Sequence, residues 1–416
     1  MLRQQFMRTR LPRVPTELTA IEIGEANTMK TSSVSQRTVF AVTWVPVLAF
    51  GAILTVPAFV GVLGKHYGMS GAELGRLASA EWLACIIGTY LTNNKSIYQL
   101  ARWVPLICVL PILANVAGVL LVSHVPLILF HPLGAFGAGV CFGYVLKVFD
   151  ASRKQERNFG IFLALFNLSE LGVFQLIAYL TNKYSAAALF IVYTVLAVGA
   201  LIISLAVRAS ITDMILPQVA LTEGQRQSRP STIILISVLS MGLSYIAFGM
   251  VWPFVQLMGV ARGFSVLNVA NGSSAYAVTG ILGSLAAATL SPPVHRAAVF
   301  SIALCALLSS LYMLYAGASY ALFFIGCSIF GFYWPFYFTL HMGIIARSDH
   351  SGRGIVLCGV APSLGAITGS FLGGMLIQGT NYLPLARTAA ALCIIGLACT
   401  LATMTGMKPV KPFEPY

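Results

Sequence analysis

Apolar residues in this chain neither alternate with polar ones nor stay on one helical face. They form runs near the roughly 20 residues that a helix needs to cross a bilayer, set apart by short polar turns. Twelve such runs are predicted as membrane-spanning helices, over 39–63, 74–91, 104–121, 126–148, 159–180, 186–207, 233–257, 266–290, 297–315, 320–344, 355–377 and 383–404. The longest internal polar stretch, 208–231, carries Asp213, Glu223, Arg226 and Arg229 and divides the runs six and six. The expected organisation is a disordered cytoplasmic tail over 1–37, a six-helix half over 38–207, a cytoplasmic loop over 208–231, a second six-helix half over 232–406 and a cytoplasmic tail over 407–416. The first tail holds Arg3, Arg8, Arg10 and Arg13 without an apolar signal core, and Met29 offers a second start site ahead of the first run.

Composition agrees with an all-α polytopic membrane protein: 58% of residues are hydrophobic and 9% charged, far from the balance of a soluble domain. The net charge of +13 raises nucleic acid as a partner, and its placement answers the question. With the N-terminus inside, about twenty of the 25 Lys and Arg fall on the cytoplasmic side, the positive-inside asymmetry of a membrane protein. No basic-aromatic patch of the nucleic-acid-binding kind occurs. Eight cysteines all lie in apolar runs, without a CxxC pair or a neighbouring His at metal-ligand spacing, so no disulfide, metal or other cofactor is expected. HExxH, GxSxG and phosphate-loop motifs are missing, which weighs against an enzyme. The small extramembrane portion weighs against a receptor.

The two sets of six runs share sequence. Ser70 to Gly88 overlays Ser265 to Gly283 without a gap, pairing Ser79-Ala80 with Ser274-Ala275 and Ile86 with Ile281. Upstream, Phe59, Gly64 and Gly68 meet Phe254, Gly259 and Gly263, and Ala49-Phe50-Gly51 recurs as Ala247-Phe248-Gly249. Phe136-Gly137 matches Phe330-Gly331, and Gly160-Ile161 matches Gly354-Ile355. The near-constant offset of roughly 195 residues reads as a duplicated six-helix unit.

With this repeat, and with a fourth run reading His131-Pro-Leu-Gly134-Ala-Phe-Gly137-Ala-Gly139, the chain resembles the major facilitator superfamily over Arg37 to Met407. His131 stands where that family's fourth-helix motif has an arginine. The loop after Gly88, Thr89-Tyr90-Leu91-Thr92-Asn93-Asn94-Lys95, lacks the family's Asp and Gly-Arg-Arg, and 167–175, NLSELGVFQ, lacks the Gly-Pro-Gly signature of drug/proton antiporters. The resemblance implies a monomeric secondary transporter in the bacterial inner membrane with both termini cytoplasmic. It also implies that the first, fourth, seventh and tenth spans line a central cavity.

Candidate chemistry follows from the few polar groups at membrane depth. Glu170 lies near the middle of the fifth run, where a charge costs roughly 2.5–3.5 kcal/mol on the mildest insertion scale, and Asn167 is one turn away on the same face. A carboxyl in a poorly solvated site can bind and release H⁺ with a conformational change, so Glu170 is the candidate proton-coupling residue, assisted by Glu81 or His131. Glu81 is placed nearer the outer surface. Aromatic and amide side chains, Trp44, Asn167, Tyr245, Trp252, Asn271, Tyr276, Trp334 and Tyr337, with His341, are the candidate substrate contacts. Pro335 is expected to kink the tenth span near the midplane. Without a central Arg or Lys pair, the expected substrate is a small neutral or zwitterionic organic solute, imported with protons. An efflux antiporter for amphipathic or aromatic compounds is the alternative, and a membrane enzyme or receptor the second.

Overall fold

The computed structural model describes residues 35–120, 124–152, 155–212, 232–289, 296–348 and 353–405. The predicted tails up to residue 34, the start site at Met29, residues 406–416 and loop residues 213–231 lie outside the described residues. Residues 208–212, expected in that loop, instead continue the sixth helix.

The helices make twelve spans. Span 1 is broken into Gln36–Ala49, Gly51–Leu54 and Val56–Tyr67; span 2 is Gly71–Leu91; span 3 is Ile97–Ile107 continued by Val109–Leu120. Spans 4, 5 and 6 are His124–Ala151, Gln155–Lys183 and Ala187–Thr212. Span 7 runs Thr232–Val251, a 3₁₀ turn at Trp252–Phe254, then Val255–Ala261. Spans 8 to 12 are Val266–Thr289, Arg296–Ala316, Tyr320–Ser348, Arg353–Leu376 and Leu383–Thr405. Span 3 starts earlier than predicted because Ser96 and Gln99 form a capping box, with the Ser96 amide donating to Gln99 Oε1 at 3.0 Å and the Gln99 amide to Ser96 Oγ at 3.2 Å.

Eight of these helices are long and apolar enough to cross a membrane on length and composition. Spans 1, 2 and 8 fall short of that measure, and Val360–Leu376 of span 11 is a shorter apolar helix. Spans 1, 2, 8 and 11 each meet the other half along one side, where neighbouring helices can cover breaks, acids and amides. Outward-facing side chains such as Leu129, Ile202, Leu239, Ile302, Leu364 and Ile394 are more than half exposed, an apolar belt suited to acyl chains.

The sequence repeat recurs as repeated geometry. Spans 1 and 7 both end on a glycine in the left-handed region, Gly68 at φ 65° and Gly263 at φ 82°; an added Cβ would touch nothing at either, so conformation rather than space calls for glycine. Spans 2 and 8 then begin on equivalent serine caps, Ser70 Oγ accepting from the Glu73 amide and Ser265 Oγ from the Asn268 amide. A Cβ on Gly88 would overlap the Phe136 carbonyl, and one on Gly283 would overlap that of Phe332, so spans 2 and 4 approach each other as spans 8 and 10 do.

The end bearing Gly68 and Gly263 is distal here, and the end bearing residues 36 and 405 proximal. Contacts between the halves gather on the distal side. Ser79 Oγ donates to the Ile367 carbonyl at 2.8 Å, and Cβ atoms on Gly61, Gly64 and Gly75 would strike Gln256, Leu257 and the Ser370 carbonyl respectively. On the proximal parts of spans 5 and 10, Gly160 and Gly343 have nothing within 4 Å of an added Cβ.

Candidate functional site

Glu170 sits mid-way along span 5 and is 3% exposed. Span 5 packs on span 8 from the other half, and polar groups line that seam. Gln175 Nε2 donates to Asn271 Oδ1 at 3.0 Å and to Ser274 Oγ at 2.8 Å. Ser274 Oγ also faces the Leu171 carbonyl at 3.4 Å. Tyr276, half-buried, lies within electrostatic reach of the Glu170 carboxyl. Among the described residues no hydrogen bond or ion pair holds that carboxyl. Asn167 donates from Nδ2 to its own helix at Leu163 O, 2.7 Å, and a Cβ on Gly280 would lie 3.6 Å from both Asn167 Oδ1 and Pro335 Cγ. Span 10 continues as helix through Pro335.

Beside Glu170 stand stacked rings. The 3₁₀ turn in span 7 delivers Trp252, whose ring lies over Tyr276 with centroids 3.6 Å apart and 23° between planes. Phe174, one turn along from Glu170, meets Trp252 edge-on at 6.2 Å. Trp334 closes the other side, edge-on to Phe248 at 4.8 Å and to Phe330 at 5.4 Å, and tilted against Tyr245 at 5.5 Å. Its indole Nε1–H is buried without an acceptor among the described residues. A sealed, unanswered donor of that kind costs about 1–3 kcal/mol, which a bound acceptor would recover.

The structure thus brings together Glu170, Asn167, Tyr245, Trp252, Asn271, Tyr276 and Trp334 from spans 5, 7, 8 and 10. It places the other candidates elsewhere. Trp44 packs on Phe40 in span 1, edge-on at 6.4 Å, apart from this ring cluster. Tyr337 and His341 turn into the core of the second half: the Tyr337 hydroxyl accepts from Ser244 Oγ at 2.9 Å and meets Ser240 Oγ at 3.0 Å, while His341 Nε2 faces Thr400 Oγ1 at 3.0 Å. They read as cavity residues because span 10 lines the cavity, but partners on spans 7 and 12 set their direction.

Glu81 and His131 form a separate centre. Expected near the outer surface, Glu81 is 2% exposed and its Oε1 lies 2.7 Å from His131 Nδ1. His131 Nε2 faces Asn115 Oδ1 at 3.2 Å, and Asn115 Nδ2 donates to the Pro111 carbonyl at 2.7 Å. With the amide so oriented, Nε2–H donates to Asn115, and one proton is shared between Nδ1 and the carboxyl. The Phe59 ring stacks on the imidazole at 4.6 Å. Sequence reasoning missed Asn115; its signal was being the lone asparagine of span 3. No cysteine pair is bonded among the described residues, although Cys108 and Cys141 Sγ approach to 3.6 Å.

At the distal mouth, Lys65, His66, Asn182 and Gln256 line a crevice across the seam between halves.

No family model matches the sequence, and no curated protein does. Solved structures do. The chain is similar to a bacterial homologue of the human lysosomal transporter Spinster, in an inward-facing and occupied conformation, at 13% identity over 90% of this chain and 97% of that one, with a TM-score of 0.65. It is similar to the nucleoside transporter NupG at 13% identity over 89% of this chain and 98% of that one, again with a TM-score of 0.65. These likenesses, with the twelve helical spans and the repeated geometry of the halves, give the chain the multi-pass, two-halved fold of major facilitator transporters.

Proposed function

We propose that the protein is a proton-coupled secondary transporter of a small organic solute. It works by alternating access between two six-helix halves, as a monomer in a bacterial inner membrane. The observation that carries this reading is Glu170: a carboxyl at membrane depth, 3% exposed, on the seam between the halves, with no partner among the described residues. Rocking of the halves changes its surroundings, and a group whose surroundings change can take up H⁺ on one side and release it on the other. The Glu81–His131 pair lies inside one half rather than on the seam. Basic residues gather at the proximal end, which supports a cytoplasmic side for the termini. Contacts between the halves on the distal side then make the described state one closed to the outside.

Uptake of a neutral or zwitterionic solute with H⁺ is the mode the sequence favours, and exchange of an amphipathic solute for H⁺ the alternative. They differ in whether solute and proton share the Glu170 carboxyl. The coupling itself is tested in proteoliposomes enclosing a pH-sensitive dye, screened with nucleosides, amino acids and aromatic amines. Wild type should move protons with at least one solute class, and Glu170→Gln should abolish that proton flux. Proton flux unchanged in Glu170→Gln would remove Glu170 from the coupling.

A further inference from the structure

The central site presents a carboxyl without a protein counter-charge beside a wall of stacked rings. We propose that it binds an organic cation: a molecule with a positively charged nitrogen, an aromatic or bulky apolar body and a hydrogen-bond acceptor. This rests on the transport reading above and narrows its substrate.

Three observations carry it. The first is charge. Histidines at membrane depth are engaged elsewhere, His131 with Glu81 and Asn115, and His341 with Thr400 and the Tyr337 carbonyl. Span 8 contains no Lys, Arg or His and offers Glu170 only the phenol of Tyr276. Of the other spans packed on span 5, the charged members Arg37, Lys65, Lys147, Asp150 and Arg208 sit at the ends, and Tyr193 bonds Thr55 at 2.7 Å. The second observation is the ring wall of Trp252, Tyr276, Phe330 and Trp334, whose faces attract a cation and cover its apolar body. The third is the buried Trp334 Nε1–H, which asks for an acceptor.

Competing solute classes fit less well. An uncharged solute gives the ionised carboxyl no counter-charge, and an anion would be repelled by that ionised form. A zwitterion would bring an acidic group to a site without a basic one. A cation satisfies the carboxylate directly. Binding to the protonated site then releases the carboxyl proton to water, one H⁺ for one cation. Solute and proton exclude each other, and transport takes the form of exchange.

The test uses the purified full chain in detergent, with binding read by equilibrium dialysis. Two permanently charged probes, 1-methyl-4-phenylpyridinium and phenyltrimethylammonium, are set against 4-phenylpyridine, which is uncharged at about pH 8. Both cations should bind at about pH 8 and at least about tenfold more weakly at about pH 5, although the probes themselves do not titrate. Unbuffered samples should release about one proton per cation bound. Glu170→Gln should weaken cation binding at least about tenfold and flatten the pH dependence, Glu170→Asp should retain both, and Trp252→Leu should weaken binding more than Trp252→Phe. If 4-phenylpyridine binds as tightly as its methylated cation, or if acid and Glu170→Gln leave cation affinity unchanged, the proposal fails. Should neither Glu170 variant run as a single species on size exclusion, the pH series and the Trp252 pair decide by the same criteria.

The two readings fail separately. Proton flux with another solute that needs Glu170, without cation binding, overturns the cation and spares the coupling. Cation binding that competes with H⁺, without flux in vesicles, does the reverse.

Discussion

At the residue scale, the buried acids behave differently because their neighbours do. Glu81 is satisfied within its own half by His131, itself held by Asn115, and Phe59 excludes water from the imidazole. Glu81→Ala should therefore lower stability by about 3–5 kcal/mol, the cost of leaving a buried polar partner stranded, and Glu81→Gln by much less because its amide can donate to Nδ1. Thermal unfolding in detergent checks the order; equal losses for the two variants would mean that the proton shared with His131 is not what matters. Glu170 was legible in the sequence because an acid inside a long apolar run needs an explanation whatever surrounds it. The burial of Glu81 was not, since depth along one helix says nothing of which helix lies opposite. Tyr337 and His341 were misdirected for a related reason: Ser240 and Thr400, which orient them, are 97 and 59 positions away in the chain.

At the element scale, apolar run length located all twelve spans but not their breaks. Span 1 breaks at Phe50 and Thr55, and span 7 at Trp252–Phe254. Pro57 and Pro253 stand just beyond the second of these breaks and within the third, where a first turn tolerates proline. Hydropathy averages across such interruptions. The glycine seams were also unreadable singly, because a glycine facing lipid and one facing Ser370 look alike in a sequence. Gly75→Val should wedge spans 2 and 11 apart, since even a Cβ there would sit 2.6 Å from the Ser370 carbonyl and 2.8 Å from Gly374 Cα. A cysteine placed at Gln256 should then react faster with a membrane-impermeant maleimide added on the distal side. An unchanged labelling rate would show that this seam does not hold the distal end shut.

At the scale of the whole molecule, duplication shows in sequence and structure alike: a left-handed glycine, a serine cap and a glycine-mediated crossing recur at corresponding places in the two halves. Halves built this way should tolerate a cut in the connecting segment. Residues 1–220 and 221–416, co-expressed as two polypeptides, should co-purify through one affinity tag and recover proton-coupled flux. Failure to associate would mean that the connection itself holds the assembly together.

The interruptions in spans 1 and 7 carry one more consequence. Beyond them, Val56–Tyr67 and Val255–Ala261 form two short levers, one from each half, that touch at Gly61 and Gln256 and again at Gly64 and Leu257. Each is jointed at the level of the rings around Trp252. A pair of levers latched tip to tip can swing as a lid while the long helices stand still. Under the proposed alternating access, closing over a solute and reorienting the two halves become separable motions.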